Sequence, residues 1–311
     1  MKLSNAIVLG PQRHAPSLKA AIDDLVDGDA PVALVTAGWE EREGEDEELR
    51  EHVGRPVENL SVWERVERIF AADPILLDAM RARHATLRRA QELYRLRLEG
   101  LMGPAAELLR GPGEDPWVEA EQQDAWELVG RLDRQHMARV AEIHDEFEQR
   151  VRPSERPAVQ AERAAIEAQL AGAACLLVAG GHIGVLLHRL RLFDVCGLWG
   201  DRPTVAWSAG AMALTERIVL FHDSPPQGSS YAEVMEAGFG RLPGFVALPH
   251  ARARLQTDDR VRMQLLSRRF APATCGLLDQ GARFDWRGGR WHAHAGSRCL
   301  DDRGAVTEGA Q

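Results

Sequence analysis

Short apolar runs punctuate both ends of the chain. Ala6-Ile7-Val8-Leu9 stops at Gly10-Pro11, and a second run spans Pro31 to Gly38. The same texture returns beyond residue 171. Ala174 to Ala179 stops at Gly180-Gly181, Pro203 to Trp207 at Ser208, Gly244 to Leu248 at Pro249-His250, and Thr274 to Leu278 at Asp279. Compact apolar runs bounded by glycine and proline predict strands buried on both faces, as in a parallel sheet. Leu18 to Val26 and Leu186 to Leu192 have the spacing of helices between such strands.

Residues 56–170 follow another pattern and show no convincing strand. Met80, Leu87, Tyr94, Leu98 and Leu101 fall on one helical stripe. Trp126, Val129, Met137, Val140, His144, Phe147 and Val151 make a second, at spacings near three and four. The breaker Gly111-Pro112-Gly113-Glu114-Asp115-Pro116 separates them. These signals predict a helical hairpin, each arm about 40 Å long at 1.5 Å per residue. A third helix, Ala158 to Ala171, leads back. The expectation is an α/β core from residues 1–55 and 171–311, with one mainly parallel sheet flanked by helices, and an insertion over 56–170. The polar tail after Gly296 is expected to fray.

Composition narrows the function classes. The chain has 311 residues, 27% of them charged, and a net charge of -9. That balance offers no general attraction to nucleic acid or to an anionic membrane. No apolar stretch reaches the length of a membrane span, and the opening residues lack the apolar region of a signal peptide. The four cysteines are scattered and read as free thiols in a reducing, cytoplasmic setting. His292-Ala293-His294 puts two imidazoles on one strand face without a third ligand nearby, so a surface strand is preferred to a metal site. No G-x-G-x-x-G element is present, and no metal or cofactor is expected. Glu40, after Gly38-Trp39, invites comparison with a nucleophile turn, but the acids from Glu40 to Glu48 read as a solvated loop.

The candidate chemistry lies where the predicted strands end, the usual place for a site in such sheets. Ser208 follows a strand and precedes Ala209-Gly210-Ala211-Met212-Ala213-Leu214, which can begin a helix at once. A sharp strand-to-helix turn crowds its neighbours, so small residues are wanted two before and two after the serine. Ala206 and Gly210 occupy those positions. A serine also needs a base and donors for the oxyanion. The N–H of Ala209 is one candidate donor, and that of Gly181 is a second.

The combination of these segments resembles the peptidase E and cyanophycinase group of serine peptidases, which has a class I glutamine amidotransferase-like fold. Val178-Ala179-Gly180-Gly181 is similar to the family's strand and glycine turn. Ala206-Trp207-Ser208-Ala209-Gly210-Ala211 is similar to its nucleophile segment, usually Gly-Trp-Ser-Ala-Gly-Ala. His222-Asp223-Ser224-Pro225 is similar to the Asn-Asp-x-Pro segment of peptidase E. Gly240-Arg241-Leu242-Pro243-Gly244, running to Pro249-His250, resembles the segment that delivers the catalytic histidine.

The resemblance implies Ser208 as nucleophile, His250 as general base, and Gly181 and Ala209 as oxyanion hole. Either Asp279 or Asp223 would be the triad acid, with strand-end placement favouring Asp279. Gly180, His182 and Arg254 would contact a small peptide substrate. Departures stand at His182, where the family often has Asn, Asp or Gln, and at Leu248-Pro249, where cyanophycinases have an acid and Gln; cyanophycin is therefore not the expected substrate. Together with Ala206, where the family usually has Gly, they motivate an alternative: a non-catalytic relative binding a ligand in the cleft and a protein through the insertion. The insertion itself lies outside the resemblance. It reads as a lid, a docking surface or a dimerisation hairpin, with a homodimer preferred because so long a hairpin cannot bury both stripes against itself.

Overall fold

The computed structural model describes residues 3–111, 115–222 and 231–308. Strands β1 (Asn5–Leu9), β2 (Val32–Val35), β3 (Val57–Asn59), β4 (Cys175–Val178) and β5 (Thr204–Trp207) build a parallel array in the order β1-β5-β4-β2-β3. The array is thus drawn from both ends of the chain. Side chains alternate across it, as the pleat requires. Ile7, Leu9, Val32, Leu34, Leu177 and Val205 pack on one face against α1 (Leu18–Asp23) and α2 (Glu47–Val53). Val8, Ala33, Val35, Leu176, Val178 and Ala206 belong to the larger core on the other face. That core includes α3 (Val62–Ala72), the base of α4 (Pro74–Arg110) and of α5 (Pro116–Val151), α6 (Pro157–Ala171), α7 (Ile183–Leu192), α8 (Val195–Trp199) and α9 (Ala209–Leu214).

The remaining strands depart from the sequence expectation. They are β6 (Arg217–Leu220), β7 (Glu233–Ala237), β8 (Phe245–Pro249), β9 (Thr274–Leu278), β10 (Arg283–Arg287), β11 (Arg290–Ala293), β12 (Arg298–Leu300) and β13 (Val306–Glu308). β10 pairs antiparallel with β1, and β11 with β10, completing a seven-stranded sheet. β8 and β9 do not join it. They pair parallel with each other in a separate four-stranded sheet ordered β13-β12-β9-β8. An apolar run reveals that a strand is buried but not which strand it pairs with, so the single sheet expected from sequence becomes two. The tail after Gly296 is also more ordered than its polarity suggested. Arg298, Cys299 and Leu300 pair with β9, and β13 pairs with β12. Pairing to an already buried strand overrides the weak local signal of two three-residue segments.

β3 is a further missed strand. Val57-Glu58-Asn59 is too short and polar to show a period, yet it pairs with β2 at the sheet edge. The two long arms are α4, with 37 residues, and α5, with 36. Each is therefore about 55 Å long, longer than the stripes alone indicated. Both begin alike: Asp73 accepts a hydrogen bond from Leu76 N at 3.0 Å and Asp115 from Trp117 N at 2.9 Å, each with proline at the first helical positions. A capping carboxylate followed by a proline that needs no N–H partner is a strong helix start. Tyr94, Leu98, Met102, Val129 and Leu132 pack with Val246, Leu248, Cys275 and Leu277 of the second sheet. The hairpin arms thus share one core with β8 and β9. Short helices α10 (Ala251–Arg254) and α11 (Arg260–Phe270) join those two strands. No helix among the described residues is long and apolar enough to cross a membrane.

Candidate active site

Ser208 lies between β5 and α9 with φ 51° and ψ -123°. A non-glycine residue in that region costs on the order of 1–3 kcal/mol, so the surroundings must impose it. Here β5 is buried between β1 and β4, and every residue of α9 is buried. Glycines let the backbones close around the turn. A β-carbon at Gly180 would stand 2.8 Å from Ser208 Cβ, and one at Gly210 would collide with Val178 O. Gly181 has φ +112° and lies against the backbone of Gly38, where a β-carbon would strike Gly38 O. His182 N donates to that same carbonyl at 2.7 Å. Ala206 is buried, consistent with the small residue wanted there.

His250 comes from the second sheet. It follows β8 with φ 57° and ψ 39°, and its N–H donates to Leu278 O at 3.1 Å. Burial lowers its pKa below the ordinary 6.5, and the neighbouring Arg254 guanidinium pushes the same way, while Asp279 opposes them. The imidazole is therefore biased toward the neutral form that can accept a proton. Ser208, Gly181 and His250 line two adjoining cavities. The larger, about 790 Å³, also touches Ala209, Ile183, Met212, Phe221, Tyr231, Pro249 and Arg254. The smaller, about 440 Å³, adds Gly180, Trp207 and, from the loops after β1 and β2, Gln12, Arg13 and Trp39. The loop Gly10-Pro11-Gln12-Arg13 thus borders the cleft.

The other sequence candidates fall in various places. Arg254 is half-buried, and burial lowers its pKa; among the described residues it makes no hydrogen bond or ion pair. Asp279 is close enough to His250 to act through its charge, yet its carboxylate is engaged elsewhere. It accepts from Arg252 N at 2.9 Å and from Arg298 Nη2 at 2.8 Å. No hydrogen bond to the His250 ring is found among the described residues. Asp223, the second candidate acid, lies outside them. His182 caps α7, with Nδ1 accepting from Val185 N at 3.1 Å, and its neighbour Ile183 lines the larger cavity instead.

Some features in and around the cavities had no sequence signal. Arg95 and Glu99 of α4, with Glu233 of β7, line the larger cavity. On the sequence they look like ordinary charged residues of a solvated helix face. Glu40 has φ 59° and ψ -127°, nearly the backbone of Ser208, in the turn after β2, which β4 separates from β5. A cluster away from the cavities joins His144 of α5, His188 of α7 and Glu236 of β7, with donor atoms within 4.8 Å of one another. Arg191 already serves them: its Nη1 lies 2.6 Å from Glu236 Oε1 and 3.0 Å from His144 Nε2. His188 Nε2 meets Glu236 Oε2 at 3.0 Å. Burial alone would raise the Glu236 pKa, but bonds from both histidines and the charge of Arg191 hold it far below the carboxylate range. The group is therefore a buried anion with its counter-cation in place. His294 Nε2 lies 3.3 Å from Asp285 Oδ2 in a partly solvated pair.

No family model and no curated protein matches the chain. Among solved structures, a peptidase from an acI-B1 Actinobacterium superposes with a TM-score of 0.49 and 13% identity, covering 99% of this chain and 96% of that one. A protein assigned to peptidase E from Listeria monocytogenes EGD-e gives 0.45 and 9%, covering 94% and 98%. Likeness of this degree says nothing about substrate or activity.

Proposed function

We propose that this protein is a serine hydrolase on a class I glutamine amidotransferase-like fold, a peptidase E-like exopeptidase for small peptides. One observation carries the reading. Ser208 is held in a strained strand-to-helix turn, crowded by glycine backbone, and shares a cavity with a histidine biased toward its neutral form. In the proposed reaction Ser208 Oγ attacks the scissile carbonyl carbon while His250 takes the hydroxyl proton. The N–H groups of Gly181 and Ala209 stabilise the oxyanion. His250 then gives its proton to the departing amine, leaving an acyl-serine. A water, deprotonated by His250, attacks that ester; the acid product leaves and the proton returns to Ser208. Arg254 supplies the cation that faces a substrate carboxylate.

The third carboxylate is Asp279 or Asp223. The bonds of Asp279 to Arg298 and Arg252 favour a structural part for it. They also support the second reading, a relative that binds a ligand in the cleft without turning it over, since no acid among the described residues is bonded to His250. A fluorophosphonate probe separates the two. Wild-type protein is expected to be labelled at neutral pH, Ser208→Ala to lose labelling, and peptide turnover to fall by about 10⁴-fold or more in that variant. Folded wild-type protein that resists the probe would count for the binding reading. Asp223→Asn and Asp279→Asn then assign the acid by which one suppresses the labelling rate.

A further inference from the structure

The hairpin holds strand β7 along its length. Gln91 Nε2 and Arg95 Nε donate to Glu233 at 2.8 and 2.7 Å. Tyr94 OH accepts from Val234 N at 3.1 Å, and His136 Nε2 meets Met235 O at 3.0 Å. Glu236 takes His144, as described. Among the described residues β7 pairs with β6 alone, in a two-stranded sheet. Its other edge would present unpaired backbone groups, and hairpin side chains satisfy them where a further strand would otherwise stand. Tyr231 and Glu233 of this same segment form a wall of the larger cavity. The hairpin is therefore fastened to the substrate chamber rather than hinged above it.

The charges it brings are unevenly matched. Arg95 is paired with Glu233. Glu99 lies one helical turn beyond Arg95, and helical residues four apart share a face. Glu99 lines the same cavity and has no hydrogen bond or ion pair among the described residues. On the core side of the chamber Arg254, beside His250, makes no hydrogen bond or ion pair among the described residues. Among the described residues the chamber is thus polarised, with an anion on the hairpin whose charge reaches Arg95 one turn away and an unbonded cation near Ser208.

We infer that Glu99 is a specificity-determining residue that reads a cationic group on the peptide, an ammonium or guanidinium carried away from the end that faces Arg254. The inference rests on the hydrolase reading and adds to it a function for the insertion. Its test uses the full chain and peptides of one backbone that carry Lys or norleucine, each with a free or an acetylated amino terminus. Glu99→Gln is expected to raise KM about tenfold for the peptides whose cation Glu99 reads, with kcat unchanged within about twofold and no effect on the acetylated norleucine peptide. Glu99→Lys should penalise the cationic peptides further while sparing the neutral one. Comparing the free-amine norleucine peptide with the acetylated Lys peptide tells whether the α-ammonium or the side chain is read. Equal changes across the panel, or none, would overturn the inference. Probe labelling of Ser208 keeps the two readings apart. If wild-type protein resists the probe, hydrolysis is refuted, and calorimetric Kd values for the same peptides with wild type and Glu99→Gln still decide the role of Glu99.

Discussion

The turn that carries Ser208 and the seam between the hairpin and β7 are built on opposite principles. The turn is made of backbone: Gly180, Gly181, Gly210 and Gly38 stand so close that side chains are excluded. The seam is made of side chains, with Tyr94, Asp133 and Arg269 bonded together in the interior and Arg269 also donating to Ala232 O. A backbone cradle fixes a reacting atom with little freedom to vary. A polar seam fixes the wall around it, and each of its members can be exchanged for another charge or shape. On the proposed hydrolase reading, reaction type and selectivity would be lodged in separable parts of the molecule.

The comparison can be broken most severely at Gly181. Gly181→Val adds a β-carbon that meets Gly38 O and forces a branched residue to φ +112°. The expected loss is about 4 kcal/mol or more, with no cooperative melt in calorimetry. The seam responds more mildly but still strongly. Asp133 and Arg269 have side chains only 7% and 2% exposed, and Asp133→Ala leaves the guanidinium buried without its anion. A fall of about 3–5 kcal/mol in denaturant-derived stability is expected; a change within error would mean the seam is not what fastens the hairpin. The smallest effect concerns pH. Burial lowers the His188 pKa below 6.5, so the unfolded chain takes up this proton at a higher pH than the folded one. The stabilisation from the neutral imidazole is complete above about pH 6.5 and is lost as pH falls through the lowered value. His188→Gln keeps a donor for Glu236 without a titrating group. The drop in melting temperature between about pH 7 and about pH 5.5 should be shallower in that variant.

How much of this was legible in the sequence differs by region for the same reason. β1, β2, β4, β5, β8 and β9 announced themselves because buried strands must be apolar throughout. Ser208 and the Gly180-Gly181 turn were legible because steric exclusion restricts residue type at fixed spacing. The division into two sheets was not, since Val246 and Cys275 look alike whichever strand lies beside them. β3, β12 and β13 were hidden by their brevity. Arg95, Glu99 and Glu233 were hidden by distance: 138 positions separate Arg95 from Glu233, and no local period joins a helix arm to a remote strand. Asp279 ends a strand as anticipated, but its bonds to Arg298 and Arg252 come from segments whose approach no spacing rule reveals.

The partition of the strands also bears on the order in which the molecule assembles. The hairpin is closed by contacts between adjacent arms, which form early because little chain entropy is lost in bringing them together. β1 must instead find β10, pairing Asn5 with Arg287 and Leu9 with Arg283, across nearly the whole chain. Ser208 stands on one sheet and His250 on the other, so neither sheet alone contains the proposed catalytic pair. During refolding, helical dichroism should return first and probe reactivity at Ser208 last, when the two sheets have docked.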